Sequence, residues 1–325
     1  MAETQDGKPY FSIIIPVRAF NNHLYESMEH CRELNYENYE IMVLPDEEPV
    51  EHREGIRVIT TGNVGPAQKR DMASDIAKGN ILAFIDDDAF PDKNWLANAR
   101  PLFEDPEVAA VGGPGVTPES DSFLQKASGE VFSSILCSGK YVYRYVPKKM
   151  REVDDFPSCN FLIRKSIFKE AGGFSTQFWP GEDTKLCLDV TKRLGKKIIY
   201  SPDVLVYHHR RPLFAPHLRQ VWNYALHRGY FAKRFPQTSL RLSYFIPSLF
   251  TLYLAGGAFV SLANKYVLYL FLSSLLVYLL VILISILRIR GKAMLFHVFL
   301  GIVMTHVTYG IGFIAGLISP RLREE

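Results

Sequence analysis

The 325-residue chain is 48% hydrophobic and 22% charged, yet residues 242–318 hold only Lys265, Arg288, Arg290 and Lys292, which excludes a purely soluble chain and a disordered one. Residues 1–241 carry 31 Lys/Arg against 32 Asp/Glu, an even balance that gives no argument for a nucleic-acid partner. Cys31, Cys137, Cys159 and Cys187 make no CxxC pair or ligand-spaced cluster, so they read as reduced thiols and not as a secreted disulfide framework.

Residues 1–10 are polar, without the basic start and apolar core of a signal peptide, so the N-terminal domain is expected to stay in the cytosol. Residues 11–17 (FSIIIPV) read as a buried strand, and 22–34 follow with Leu24, Met28, Cys31 and Leu34 at helical spacing. The strand signal repeats at 39–44 and 55–59. Residues 65–78 open with Gly-Pro and read as a helix, and 80–85 (NILAFI) form an apolar strand running into three aspartates. Repeated strand–helix units with near-continuous apolar strands predict a mostly parallel, Rossmann-like α/β sheet covered on both faces. Beyond it, 94–103 and 121–136 read as helices and 108–113 as a strand. Residues 138–156, rich in Tyr, Lys and Arg without clear period, read as a mobile loop over a site. A mostly apolar stretch at 160–167 precedes a glycine turn at 171–174, a helix at 183–194, and short strands at 197–200 and 204–207.

Residues 207–241 carry seven Lys/Arg, four histidines and no acid, interleaved with Trp222, Tyr224, Tyr230, Phe231 and Phe235. That pattern fits an amphipathic helix at a headgroup surface; the plain alternative is a solvated linker. Three apolar stretches, 242–263, 266–287 and 294–318, are each long enough to cross a bilayer. The expected organisation is therefore a catalytic domain at 1–206, an interfacial segment at 207–241, and an all-α transmembrane region at 242–325. The basic loop at 288–292 and the nearly bare one at 264–265 put the N-terminal domain in the cytosol of a multi-pass plasma or inner membrane protein. Arg321 and Arg323 run against the external C-terminus that three spans require.

Asp86-Asp87-Asp88, at the end of an apolar strand, is the sharpest chemical feature. Adjacent carboxylates repel, and a hard divalent cation relieves them; a solvated acidic turn capping the next helix is the equal alternative. His208-His209, followed by Arg210-Arg211, is poised to meet phosphate.

SIIIPVRAFN at 12–21, EIMVLPDEE at 40–48, the block at 63–96 containing QKRDMASDIAKGNILAFIDDDAFPDKNWL, GGF at 172–174, GED at 181–183 and VYHHRR at 206–211 together resemble family 2 glycosyltransferases of the GT-A fold. The resemblance implies that Pro16, Val17 and Arg18 border the nucleotide base, and that Asp46 is the second of two acids after the second strand. Pro45 stands where the first is common. It implies that Lys69 and Arg70 lie near the nucleotide, that Asp86, Asp87 and Asp88 form the DxD segment at the donor, and that Asp86, Asp88 and His208 meet a divalent metal, Mg2+ or Mn2+. Glu182-Asp183 looks like the family's ED motif, with Asp183 as general base; on the residues alone the reading of Asp183 as a helix N-terminal acid is the stronger. Arg210, Arg211 and Trp222 are assigned to acceptor or phosphate contacts, Trp222 through a faint likeness to the QxxRW element of processive synthases. The expected protein is a membrane-anchored inverting transferase that moves one sugar from a nucleotide-sugar donor to a lipid-linked, polyprenyl-diphosphate saccharide in glycan assembly. Its rivals are transfer to polyprenyl phosphate and a non-catalytic membrane scaffold that keeps the fold.

Overall fold

The computed structural model describes residues 9–49, 53–174, 176, 178 and 180–322. In chain order the strands are β1 (Phe11–Pro16), β2 (Tyr39–Leu44), β3 (Ile56–Val58), β4 (Ile81–Ile85), β5 (Ala89–Pro91), β6 (Val108–Gly112), β7 (Gly115–Val116), β8 (Arg151–Val153), β9 (Asn160–Arg164), β10 (Lys197–Tyr200) and β11 (Val206–His208). The helices are α1 (Asn22–Arg32), α2 (Pro66–Ile76), α3 (Trp95–Ala99), α4 (Phe123–Ser133), α5 (Ile135–Ser138), α6 (Lys165–Ala171), α7 (Glu182–Leu188), α8 (Ala215–Arg234), α9 (Pro236–Ser239), α10 (Leu242–Ser261), α11 (Lys265–Ile286) and α12 (Lys292–Ile318). Two units emerge. One takes the chain up to Val116 and Tyr143–His209, the other Thr117–Val142 and the chain from Arg210, so residues 117–142 group with the C-terminal helices and not with the expected 1–206 block.

The first unit is built on a sheet ordered β3-β2-β1-β4-β9-β6-β10-β8. Every residue of β1 and β4 is buried, the continuous apolar reading expected of strands covered on both faces. The sheet is mixed: β9 inserts antiparallel between β4 and β6, and β8 is antiparallel to β10. A small second sheet, β5-β11-β7, has β11 antiparallel to β5 and parallel to β7. Asn21 starts α1 by accepting from the Leu24 N–H at 3.0 Å, and Pro66 sits in the first turn of α2, where its missing N–H costs nothing. The helix expected at 94–103 splits into α3 and a 3-10 turn at Arg100–Glu104, because Pro101 cannot donate. Residues 138–156 are not a bare loop. They hold a 3-10 turn at Gly139–Arg144 and β8, anchored by the Tyr200 hydroxyl accepting from the Lys148 N–H at 3.0 Å.

In the second unit, α10, α11 and α12 are long and apolar enough to cross a membrane. Their neighbours differ, however. Of the most apolar window, 39% is buried in α12 against 6% in each of α10 and α11. Helix α8 runs beside α12 with backbones in close approach: a Cβ on Gly316 would collide with the Leu226 carbonyl, and one on Gly229 with the Phe313 carbonyl. His217 Nε2 meets Thr305 Oγ1 at 2.9 Å near one end of this contact, and Lys233 Nζ donates to the Ser319 carbonyl at 2.5 Å near the other.

Candidate functional site

Strand β4 stops at Ile85, and Asp86-Asp87-Asp88 follow at its carboxyl end, where open α/β sheets bind ligands. The β5–β11 register pairs His208 with Ala89, which brings His208 Nε2 to 3.0 Å from Asp88 Oδ1. One ligand atom each from Asp86, Asp88 and His208 lies within 4.8 Å of the others. Two carboxylates and an imidazole so disposed are a donor set that fits a divalent cation. Burial alone would lower the His208 pKa, but the charge of Asp88 and the hydrogen bonds the protonated ring donates to Asp88 and Cys159 carry it up to about 10. Asp87 turns away to accept from Asn21 Nδ2 at 2.9 Å; burial and then the Asp88 charge push its carboxyl upward.

A buried arginine organises the other side. Arg70 NH2 donates to Asp86 Oδ1 at 2.6 Å and NH1 to Glu182 Oε1 at 3.2 Å, joining the DxD segment to the Glu182-Asp183 pair. Burial raises the Glu182 carboxyl, opposed by the Arg70 charge. Asp183 follows in the first turn of α7, its Oδ1 accepting from the Thr184 N–H at 2.8 Å. Gly181, at φ 122°, makes the turn into this helix. Lys69 is equally buried, donating to the Val17 carbonyl at 2.7 Å, the Leu44 carbonyl at 3.0 Å and Asp46 Oδ1 at 2.5 Å. It thereby ties together the ends of β1 and β2. Pro16 and Val17 are buried beside it and Arg18 is exposed.

The structure therefore groups Asp86, Asp88 and His208, and links Asp86 to Glu182 through Arg70. Lys69 and Arg70, expected beside the nucleotide, are buried and hold carboxylates in place. Arg210, Arg211 and Trp222 belong to the second unit. There Arg210 is buried, its N–H donating to Asp121 Oδ2 and its Nε to Thr117 Oγ1, each at 3.1 Å, while Arg211 and Trp222 are exposed. Sequence reasoning missed Asn21, Cys159 and Asn160. Asn160, fully buried at the start of β9, accepts from Trp95 Nε1 at 2.9 Å and donates to the Val204 carbonyl at 2.7 Å. A buried asparagine in an apolar strand was the available signal. The four cysteines are free thiols.

The Glycosyl transferase family 2 model matches residues 12–172. A pre-mycofactocin glycosyltransferase of Mycobacterium tuberculosis is 30% identical over 147 residues, 45% of this chain and 30% of that protein. A glucosyl-dolichyl phosphate glucuronosyltransferase of Haloferax volcanii is 24% identical over 154 residues, 45% of this chain and 48% of that one. The chain thus spans less than a third of the first relative and about half of the second. The mannosyltransferase PcManGT of Pyrobaculum calidifontis, solved with GDP-Man and Mn2+, superposes with TM-score 0.53 at 18% identity, over 95% of this chain and 86% of that one. At that identity the likeness shows the fold, GT-A.

Proposed function

We propose, on the match of residues 12–172 to the Glycosyl transferase family 2 model, that the chain is a membrane-anchored, inverting glycosyltransferase. It moves one sugar from a nucleotide-sugar donor to a lipid-linked saccharide at the cytosolic face. The observation that carries this reading is the convergence of Asp86, Asp88 and His208 at the end of β4, joined through Arg70 to Glu182 beside Asp183. Asp86, Asp88 and His208 would hold a Mg2+ or Mn2+ ion, which would supply charge neutralisation for the departing diphosphate. Asp183 takes the proton from the acceptor hydroxyl. The acceptor oxygen then bonds to the anomeric carbon as the carbon–oxygen bond to the diphosphate breaks, and one displacement inverts that centre. Arg70 keeps Asp86 and Glu182 in fixed orientation. The acceptor reading is supported by the apolar helices and by the archaeal relative, whose name couples it to glucosyl-dolichyl phosphate.

The test is donor titration with and without Mn2+ or Mg2+, then assay against a polyprenyl-diphosphate saccharide, polyprenyl phosphate and a lipid-free sugar. Asp88→Ala is expected to lose metal-dependent donor affinity while the protein remains folded. Unchanged metal-dependent affinity removes the metal assignment. Donor turnover on polyprenyl phosphate alone replaces the saccharide acceptor with the bare lipid, and no donor turnover at all leaves a scaffold.

A further inference from the structure

A second cluster lies beside the DxD segment. His23 and Glu26 stand one turn apart on the same face of α1, and His209 reaches them from the end of β11. His209 Nε2 is 2.8 Å from Glu26 Oε2, and the His23 and His209 rings are 4.3 Å apart between centroids. The His209 N–H donates to the Asp88 carbonyl at 2.9 Å, which fixes the backbone there. Successive residues of an extended chain point to opposite faces. His208 therefore turns to Asp88 and His209 to α1. One ligand atom each from His23, Glu26 and His209 lies within 4.8 Å of the others, and ligands around a tetrahedral ion with bonds near 2.0–2.1 Å sit about 3.3 Å apart. The geometry points to a second divalent-metal site, His23–Glu26–His209, of the zinc class. Two imidazoles and one carboxylate favour such an ion over the hard cation that suits Asp86 and Asp88. His23 is exposed, leaving room for a water ligand. The site clamps the segment after β11 to α1, whose first turn Asn21 also ties to Asp87.

Full-length protein in detergent, stripped of metal and titrated with Co2+ under excess Mg2+, tests this. Expected is one tightly held Co2+ with the visible absorption of a four- or five-coordinate ion, displaced by Zn2+. Exposed His23→Ala and Glu26→Gln lose the band, and Asp88→Asn keeps it. An absent band, a band surviving both α1 variants, or one lost only in Asp88→Asn overturns the site.

An independent set of contacts concerns the membrane. Helices α10 and α11 form a hairpin, with Tyr253 and Phe271 rings 5.6 Å apart and Phe250 and Tyr278 rings 4.5 Å apart. Helix α12 meets only one end of it. Val298 and Ile302 cluster with Ile282 and Ile286 of α11, the His306 Nδ1 meets the Tyr278 hydroxyl at 2.9 Å, and Phe313 packs on Phe245 of α10 at 4.8 Å. A third span would instead follow the hairpin towards Gly257 and Phe271. The exposed apolar residues Phe296, Met304, Ile311 and Ile318 recur every seven or eight positions, one stripe of a helix whose other side α4 and α8 cover. Arg241 precedes α10, Arg288 and Arg290 follow α11 and Lys292 opens α12, all at the open end of the hairpin, while Lys265 stands at its turn. We infer that α12 lies in the interface across the base of a two-span hairpin, so that the C-terminus returns to the cytosolic side. This accounts for Arg321 and Arg323 under the positive-inside rule. Alkaline phosphatase and green fluorescent protein, fused after residue 263 and after residue 325 in a bacterial host, test it. Expected is an active phosphatase at 263 and, at 325, an inactive phosphatase with a fluorescent partner. Active phosphatase at 325 establishes three spans and overturns the inference.

Discussion

Arg70 is the side chain on which most of the site depends, since its guanidinium is buried between the Asp86 and Glu182 carboxylates. Removing one partner of a buried charge network strands the others, at roughly 3–5 kcal/mol. Arg70→Met is therefore expected to lower unfolding stability in detergent by that order. Arg70→Lys should recover only part of it, because one ammonium nitrogen cannot span the two carboxylates that NH1 and NH2 reach separately. Asp183 makes a different demand. If its carboxylate takes the acceptor proton, Asp183→Asn preserves size, leaves donor affinity intact and lowers turnover by about 10²-fold or more. Near-normal turnover would return Asp183 to the role of a helix-end acid.

At the scale of elements, α8 is the clearest case of one segment serving two surroundings. Its inner face, with Val221, Ala225 and Gly229, meets α12 through Gly312 and Gly316. Gly316→Leu is expected to separate the two helices, read as a loss of thermal stability in detergent, because its side chain would have to occupy the Leu226 carbonyl position. The outer face carries fewer available cations than composition implies. Arg228 lies over the Tyr244 ring at 4.9 Å and donates to Ser239 Oγ at 3.2 Å, and Lys233 is engaged with Ser319. Arg219 and Arg234 are exposed. With about 1 kcal/mol per cation near an anionic surface, Arg219→Gln with Arg234→Gln should cost about 2 kcal/mol of docking. The readout is a raised KM for lipid acceptor in anionic liposomes with donor KM unchanged, and added salt should imitate part of it. Equal use of lipid acceptor by the double variant would reduce this face to a linker.

For the molecule as a whole, acid sensitivity follows from a histidine that joins three helices. His217 of α8 is buried between Ser128 Oγ of α4, 2.8 Å from Nδ1, and Thr305 Oγ1 of α12, 2.9 Å from Nε2. Burial lowers its pKa from 6.5 to about 4. The unfolded chain takes a proton that the fold refuses, so stability is complete above about pH 6.5, falls as pH drops towards 4, and levels below; the loss is about 3 kcal/mol at most. His217→Gln should flatten this limb of unfolding measured against pH. The readable parts of the architecture were those with local signals: the apolar runs of β1, β2, β4 and β6, the DxD turn, and the three long apolar helices. What stayed hidden depends on pairing between distant segments. Nothing near Asn160 announces that β9 enters the sheet antiparallel, nor does the Arg70 sequence reveal Glu182 as its partner. Residues 138–156 looked unstructured because their order comes from β10, through the β8 pairing and the Tyr143 ring set 4.8 Å from that of Tyr200.

The break between α10 and α11 is short, only residues 262–264, and Asn264 caps the second helix by accepting from the Tyr266 N–H at 2.8 Å. Helices joined so tightly must enter the bilayer together, because neither can cross while the other waits outside. Insertion then requires the translocation of the short turn at 262–264 with the single cation Lys265, and no folded domain. In the two-span arrangement, what the described residues place on the outer side is the turn at 262–265 between α10 and α11.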